Sequence, residues 1–409
     1  MRRKPRLQWP AVRSPGSLAL VALVAAALGA GGALVGARSA GWIGPGHIST
    51  VIVSSPVALP LPAAVSTPVR PLTGRFDAAA IFARRSTGVV TIYALSPSGD
   101  QSTQGSGFVV SADGVILTNS HVITNAGQAA GATPRAAGAL FVEFSDLDRV
   151  PARIVGWDVF DDVGVIRVDP SAHALHPVPL GSSAGVRVGD PVAVIGSPFG
   201  NENSLAVGVV AATRRSIQSL TSSYNLLDAI QTDAPLNHGN SGGPMFDAAG
   251  RVVGISAQIR SDSGSAEGVG FAVPIDSAQR SLKQLLADGR VHYAYVGIQS
   301  ESLVPSVARR FHFAVQRGAV INGIKDKSPA QRADFRPASK QESFNGETVS
   351  TNGDVIVAIN GLPVHSADDV VRVVSEQLLP GQVATFTVVR GKTRKTIRVR
   401  LGERSLSTS

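Results

Sequence analysis

No cysteine occurs among the 409 residues, so no disulfide holds the chain together. That excludes a fold stapled by disulfides, although it does not exclude an exported protein. With no cysteine and eight scattered histidines, no ligand set of metal-binding spacing is present, and neither metal nor cofactor is expected. His173-Ala174-Leu175-His176, beside Pro177, reads as a polar turn. Aromatic residues are scarce, at 5%. No stacking platform or nucleic-acid motif accompanies the basic residues, so the net charge of +9 does not point to nucleic acid.

What is abundant is apolar residues, at 44%, and glycine, at 43 positions. A chain of this length suits two domains with appendages, rich in turns. The basic excess sits largely at two places. Arg2, Arg3, Lys4, Arg6 and Arg13 precede an apolar run. Arg390, Lys392, Arg394, Lys395, Arg398 and Arg400 alternate with Thr393, Thr396, Ile397 and Val399, as the solvated face of a strand would.

Residues 1–16 form a basic N-terminus, and residues 17–37 are small or apolar without a charge. At roughly 20 residues the run is long enough to cross a bilayer as a helix. The flanking charges then predict a cytoplasmic N-terminus with the remainder outside. A cleaved signal peptide is the competing reading, since Ala37-Arg38-Ser39-Ala40 offers small residues to a signal peptidase. Both readings imply export: a single-pass membrane protein with extracytoplasmic domains, or a secreted or periplasmic one. Residues 38–75 are proline-rich and read as an extended linker. Residues 76–85 then have a short amphipathic helical pattern, with Phe76, Ala80 and Ile81 apolar.

From Val89 onward short β-runs alternate with turns, which argues an all-β barrel or sandwich. Ser111-Ala112-Asp113-Gly114 is a hairpin signal. Gly239-Asn240-Ser241-Gly242-Gly243-Pro244 can turn tightly and expose both a serine and backbone amides. On its own it is equally an ordinary Gly/Ser turn. Upstream, the strand-like run from Val115 ends in Thr118-Asn119-Ser120-His121. Further on, Asp161 and Asp162 stand at the mouth of another strand, Val163-Gly164-Val165-Ile166. A histidine ending a strand is usually polar surface, and paired aspartates usually cap a turn. A base, an acid and an activated hydroxyl are nevertheless what serine nucleophilic catalysis needs.

Gly105-Ser106-Gly107-Phe108, Thr118-Asn119-Ser120-His121-Val122, Asp162-Val163-Gly164-Val165 and the Gly239–Pro244 run together resemble the catalytic segments of HtrA/DegP serine proteases. The resemblance runs from about Phe76 to about Leu401. It implies a mainly β chain: a chymotrypsin-like double β-barrel protease domain over 76–290, then a PDZ domain over 291–403. His121 is then the general base, Asp162 its orienting acid and Ser241 the nucleophile, with Gly239, Asn240 and Ser241 forming the oxyanion hole. Asp161 is the rival acid; Asp162 is preferred because it directly precedes the apolar run, the family's register. Gly164 replaces a more usual alanine, and His238 precedes the oxyanion turn. Segments 124–138, 197–204 and 214–226 fall where the family has variable gating loops.

Six positions before the nucleophile, where trypsin-like enzymes specific for basic residues keep an aspartate, stands Pro235. Gly268-Val269-Gly270-Phe271-Ala272-Val273-Pro274 resembles the family's pocket wall. Cleavage after small aliphatic residues is expected. Residues 275–290 read as a helix with Leu282, Leu285 and Leu286 on one face. Tyr295-Val296-Gly297-Ile298 resembles a PDZ carboxylate-binding loop and strand, and residues 366–378, with Val370, Val371 and Val374, the groove helix. There a peptide C-terminus would add as a strand. Residues 336–352 read as a polar surface loop inserted in that domain.

The implied function is an endopeptidase acting on unfolded or misfolded exported chains. Two alternatives stay open: a chaperone or peptide-binding scaffold with little proteolysis, and a regulatory protease with one membrane-bound target. Related proteases often trimerise through their N-terminal region, which leaves a homotrimer open here.

Overall fold

A computed structural model describes residues 76–97, 102–126, 133–197, 203–237, 239–259 and 269–404. The apolar run 17–37, the linker to residue 75, His238 and Gly268 lie outside them. Most of the predicted loop 197–204 and part of 124–138 do so too. Among the described residues no helix is long and apolar enough to cross a membrane.

The chain enters through helix α1 (Ala78–Arg85), capped by the Asp77 carboxylate, which accepts from the Ala80 amide at 2.9 Å. Ile81 is the residue that α1 buries. Six strands then close a first barrel: β1 (Val89–Leu95), β2 (Ser102–Val109), β3 (Val115–Thr118), β4 (Ala139–Glu143), β5 (Arg149–Asp158) and β6 (Val163–Val168), in spatial order β1-β2-β3-β6-β5-β4. The Ser111–Gly114 turn joins β2 to β3 as expected, with Gly114 at φ +92°.

A second barrel follows from β7 (Pro191–Gly196), β8 (Ser204–Gln218), β9 (Asn225–Thr232), β10 (Pro244–Phe246), β11 (Val252–Ile259) and β12 (Gly270–Pro274), in spatial order β10-β11-β12-β9-β8-β7. Its segment 214–226 is a loop only over residues 219–224. Strand β8 carries Arg214 and Arg215 on to Gln218, and β9 resumes at Asn225. The two arginines are exposed, so their charge does not interrupt a strand whose outer face meets water.

Closing a barrel removes sheet edges and turns alternate residues inward. Ile92, Val109, Ile116, Val142 and Ile166 fill the first barrel, and Val194, Val210, Ile230, Met245 and Val253 the second. Phe108, Leu117, Val165, Ile195, Phe246 and Ile255 form a third cluster, and Phe108 and Phe246 are fully buried. Truncating either phenylalanine to alanine would cost about 3–5 kcal/mol.

Helix α3 (Ile275–Asp288) leaves the second barrel and ends at Gly289, which holds φ +68°. It buries Ile275, Ala278 and Leu285, whereas Leu286 is 45% exposed and does not share that face. One residue past Leu285 is a rotation of about 100°, enough to leave the buried stripe.

The second domain is built on β13 (Ala294–Tyr295), β14 (Ile298–Leu303), β15 (Gly318–Ile324), β18 (Val355–Ile359), β20 (Val383–Arg390) and β21 (Thr393–Arg400). The last five form one sheet in order β14-β15-β18-β20-β21, and the short β19 (Leu362–Pro363) pairs with β18. Strand β22 (Gly402–Glu403) pairs with β13. A short helix, α4 (Pro305–Arg310), follows β14, and helix α5 (Ala367–Gln377) closes over the sheet through Val370, Val373 and Val374. Ser366 and Asp369 form a capping box at its start.

Residues 336–352 are not a loop. They contain a hairpin, β16 (Lys340–Phe344) and β17 (Glu347–Thr351), docked on the sheet. Phe344 meets Phe311 edge to face at 5.9 Å, Val349 is buried, and Ser350 bonds Glu301 through both its amide and its hydroxyl. Two apolar anchors among polar residues set no period a sequence reading detects. Arg390 also departs from the expected solvated face, since its guanidinium forks the fully buried Asp354 at 2.7 and 2.8 Å.

Candidate active site

The serine turn lies between β9 and β10. Gly239 and Gly242 hold φ of +98° and +88°, a region open chiefly to glycine. A Cβ on Gly242 would stand 2.1 Å from the Ser106 carbonyl oxygen. The amides of Asn240, Gly242 and Gly243 donate to Asn237, Ser256 and Asn240 carbonyls at 2.7–3.0 Å. Among the described residues those of Gly239 and Ser241 donate to no acceptor.

Ser106 of the first barrel clamps this turn. Its amide donates to the Ser241 carbonyl at 2.7 Å and its hydroxyl to the Gly239 carbonyl at 2.6 Å. Its own carbonyl accepts from Thr118 Oγ1 at 2.7 Å, at the end of the strand that leads to His121. Both segments are therefore held to one residue of β2.

Past Thr118 the chain makes a single helical turn, α2 (Ser120–Ile123), which presents His121. Asp162 sits between β5 and β6 at φ +52° and is 5% exposed. Its Oδ2 lies 2.8 Å from His121 Nδ1. Its Oδ1 accepts from Ser120 Oγ at 2.7 Å and from the His121 amide at 3.1 Å, and its carbonyl accepts from Asn119 Nδ2 at 2.8 Å. A carboxylate gripped this way cannot rotate away from the imidazole. Burial opposes charge on His121, but the charge of Asp162 and its hydrogen bond outweigh burial and hold the pKa above the ordinary imidazole value.

Of the adjacent aspartates, it is Asp162 that bonds the imidazole. Asp161 feels burial first and then the nearby Asp158 carboxylate, which together push its pKa up to about 7. Asp158 is itself buried and accepts from Tyr293 Oη at 2.6 Å and Ser281 Oγ at 2.7 Å. Gly164 has a steric reason: a methyl there would lie 2.8 Å from the Asn119 carbonyl oxygen.

The Ser241 hydroxyl donates to the Ala257 carbonyl at 3.2 Å, and among the described residues no hydrogen bond joins it to His121. Pro235 is exposed, while Leu236 is buried against Gly270, where a Cβ would meet Leu236 Cδ1 at 2.6 Å. In the second domain Tyr295, Val296, Gly297 and Ile298 line a groove of about 340 Å³ beside α5. Gly297 holds φ +82° there. Sequence reasoning missed Ser106, Ser120 and the Ala257 carbonyl. The first two stood inside quoted motifs, whereas a backbone carbonyl leaves no residue-type signal.

Two closed barrels meeting at a His–Asp pair and a glycine-flanked serine, followed by a sheet-and-helix peptide-binding module, define a trypsin-like peptidase joined to a PDZ domain. A trypsin-like peptidase domain model matches residues 105–255, and a PDZ domain model matches 294–401. The chain is 34% identical over 346 residues to the chloroplastic Protease Do-like 1 of Arabidopsis thaliana, covering 82% of this chain and 74% of that one. It is 34% identical over 311 residues to a DegP-like periplasmic serine endoprotease of Pseudomonas fluorescens, covering 75% of this chain. It spans 58% of that relative's length. The solved structure of the HtrA-type protease AlgW with a tripeptide superposes with a TM-score of 0.67 at 30% identity, covering 80% of this chain and 98% of the other. The chain belongs to the HtrA/DegP family of serine proteases.

Proposed function

We propose that this chain is a serine endopeptidase in which His121 takes the proton of Ser241 as the hydroxyl attacks a peptide carbonyl, then returns it to the leaving amine. Asp162 fixes the imidazole tautomer and stabilises the imidazolium. The oxyanion hole is the Gly239-Asn240-Ser241 turn, through the amides of Gly239 and Ser241. The observation that carries this reading is the 2.8 Å Asp162–His121 bond beside a serine turn in which those two amides donate to no acceptor among the described residues. The hydroxyl would leave the Ala257 carbonyl for His121 when substrate enters, since catalytic hydrogen bonds often tighten only in the complex.

Apolar walls around Leu236 and Gly270, with a proline rather than an aspartate at position 235, favour small aliphatic residues before the scissile bond. The PDZ groove at Tyr295, Val296, Gly297 and Ile298 takes peptide C-termini by strand addition to β14. Substrates are unfolded or misfolded exported chains, in keeping with relatives named as periplasmic. Residues 17–37 would tether the enzyme to the membrane, its two domains outside the cytoplasm.

The Ser241–Ala257 hydrogen bond favours a second reading, a peptide-binding scaffold whose hydroxyl is rarely poised. Casein digestion with mapping of the cut sites separates the two. The enzyme reading expects cuts after Val, Ala or Ile that vanish in Ser241→Ala. Intact casein, or cuts chiefly after Arg, would count against it.

A further inference from the structure

We infer that the groove between β14 and α5 takes a chain terminus of defined charge pattern: a free carboxylate, a small apolar last residue, and Lys or Arg two residues upstream. Arg404 and Asp368 are the recognising charges. This deepens the peptide-binding reading above and rests on it.

Arg404 lines the groove just beyond β22. Its amide donates to the Tyr293 carbonyl at 2.8 Å, which fixes the residue beside β13. Its guanidinium lies over the rings of Phe160, Tyr224 and Tyr293, at 5.1, 4.6 and 5.4 Å from their centroids. Nη2 donates to Ser375 Oγ at 2.8 Å, while Nε is buried with no acceptor among the described residues. Among the described residues no carboxylate pairs with this cation. Ring faces stabilise a cation but supply no hydrogen-bond acceptor, so the fork still lacks its natural partner. The Val296 and Gly297 amides, in the same groove wall, also donate to no acceptor among the described residues. A cation and two unused amides at one end of an apolar groove suit a terminal carboxylate.

Asp368 lines the other end, and among the described residues no cation pairs with it. There the Ala367 amide donates to Ser302 Oγ at 3.0 Å, tying the start of α5 to β14. Seven residues separate Asp368 from Ser375, about 10 Å along a helix. An extended peptide covers that span in about three residues. Because side chains alternate along a strand, the last residue faces α5, among Val296, Val370 and Val374, and so does the residue two before it, next to Asp368. An acidic residue in a first helical turn also suits the helix dipole without any ligand. The test must therefore distinguish recognition from stability.

The probe is fluorescence anisotropy on the full chain carrying Ser241→Ala, so that bound peptide is not cut. Labelled decapeptides end in Lys-Ala-Val as free acid, Glu-Ala-Val as free acid, and Lys-Ala-Val as amide. The free-acid Lys peptide is expected to bind at least about tenfold tighter than either of the others. Arg404→Gln should bring the free acid to the level of the amide and leave the amide unchanged. Asp368→Lys, which touches none of the Arg404 contacts, should reverse the order of the Lys and Glu peptides. Equal weakening of acid and amide by Arg404→Gln would reduce Arg404 to a structural clamp and overturn the proposal, as would an unchanged order in Asp368→Lys. Failure of every free-acid peptide to bind the parent would instead remove the peptide-binding reading itself, and this proposal with it.

Discussion

At the scale of single residues, the proposed chemistry depends on His121 being neutral when substrate arrives. Its pKa lies above the ordinary 6.5 because the Asp162 charge and hydrogen bond outweigh burial. A raised histidine pKa stabilises the fold fully below the unfolded value, and that contribution fades as pH rises through the folded one. The form that catalyses is thus the one in which the ion pair adds least to stability. The expected kcat/KM profile climbs with pH along an acidic limb whose midpoint lies above 6.5. In Asp162→Asn the limb should move down and kcat should fall by roughly 10,000-fold. An unshifted limb in that variant would show that Asp162 does not set the ionisation of His121.

At the scale of elements, the serine turn is a backbone device. Gly242 has φ +88° and no room for a methyl beside the Ser106 carbonyl. Gly242→Ala should therefore lose proteolysis and more than about 1 kcal/mol of stability in urea unfolding. Full activity in that variant would mean that the turn tolerates another shape. The turn was legible in the sequence because glycine spacing reports conformation directly, and Ser241, His121 and Asp162 each stood at a recognisable strand end. Other features were not. The full extent of β8 was hidden by Arg214 and Arg215, charges that a half-exposed strand accepts on its outer face. The 336–352 hairpin adds Phe344 and Val349 to an apolar cluster, too few apolar residues to set a period. The clamp of Ser106 on the Gly239 and Ser241 backbone joins segments more than a hundred residues apart. Local pattern carries no trace of such a pairing.

At the scale of the whole molecule, the peptidase and PDZ domains meet through charged pairs. Arg372 of α5 forks Asp228 of β9 through Nε and Nη2, each at 2.7 Å, and Arg280 of α3 reaches Glu376 at 3.0 Å. Arg372 and Asp228 are 26% and 21% exposed, so solvent screens them only in part. Arg372→Ala should lower stability by about 1–3 kcal/mol. Asp228→Ala on top of it should add little, because the pair is already broken; additive losses would argue against an interdomain bond. The account as a whole stands on Ser241 being an activated nucleophile. Fluorophosphonate labelling of the full chain, read by intact mass and peptide mapping, tests this most directly. A single adduct on Ser241, absent from Ser241→Ala and slowed in His121→Ala, is the predicted result; no adduct, or one on another serine, would contradict it.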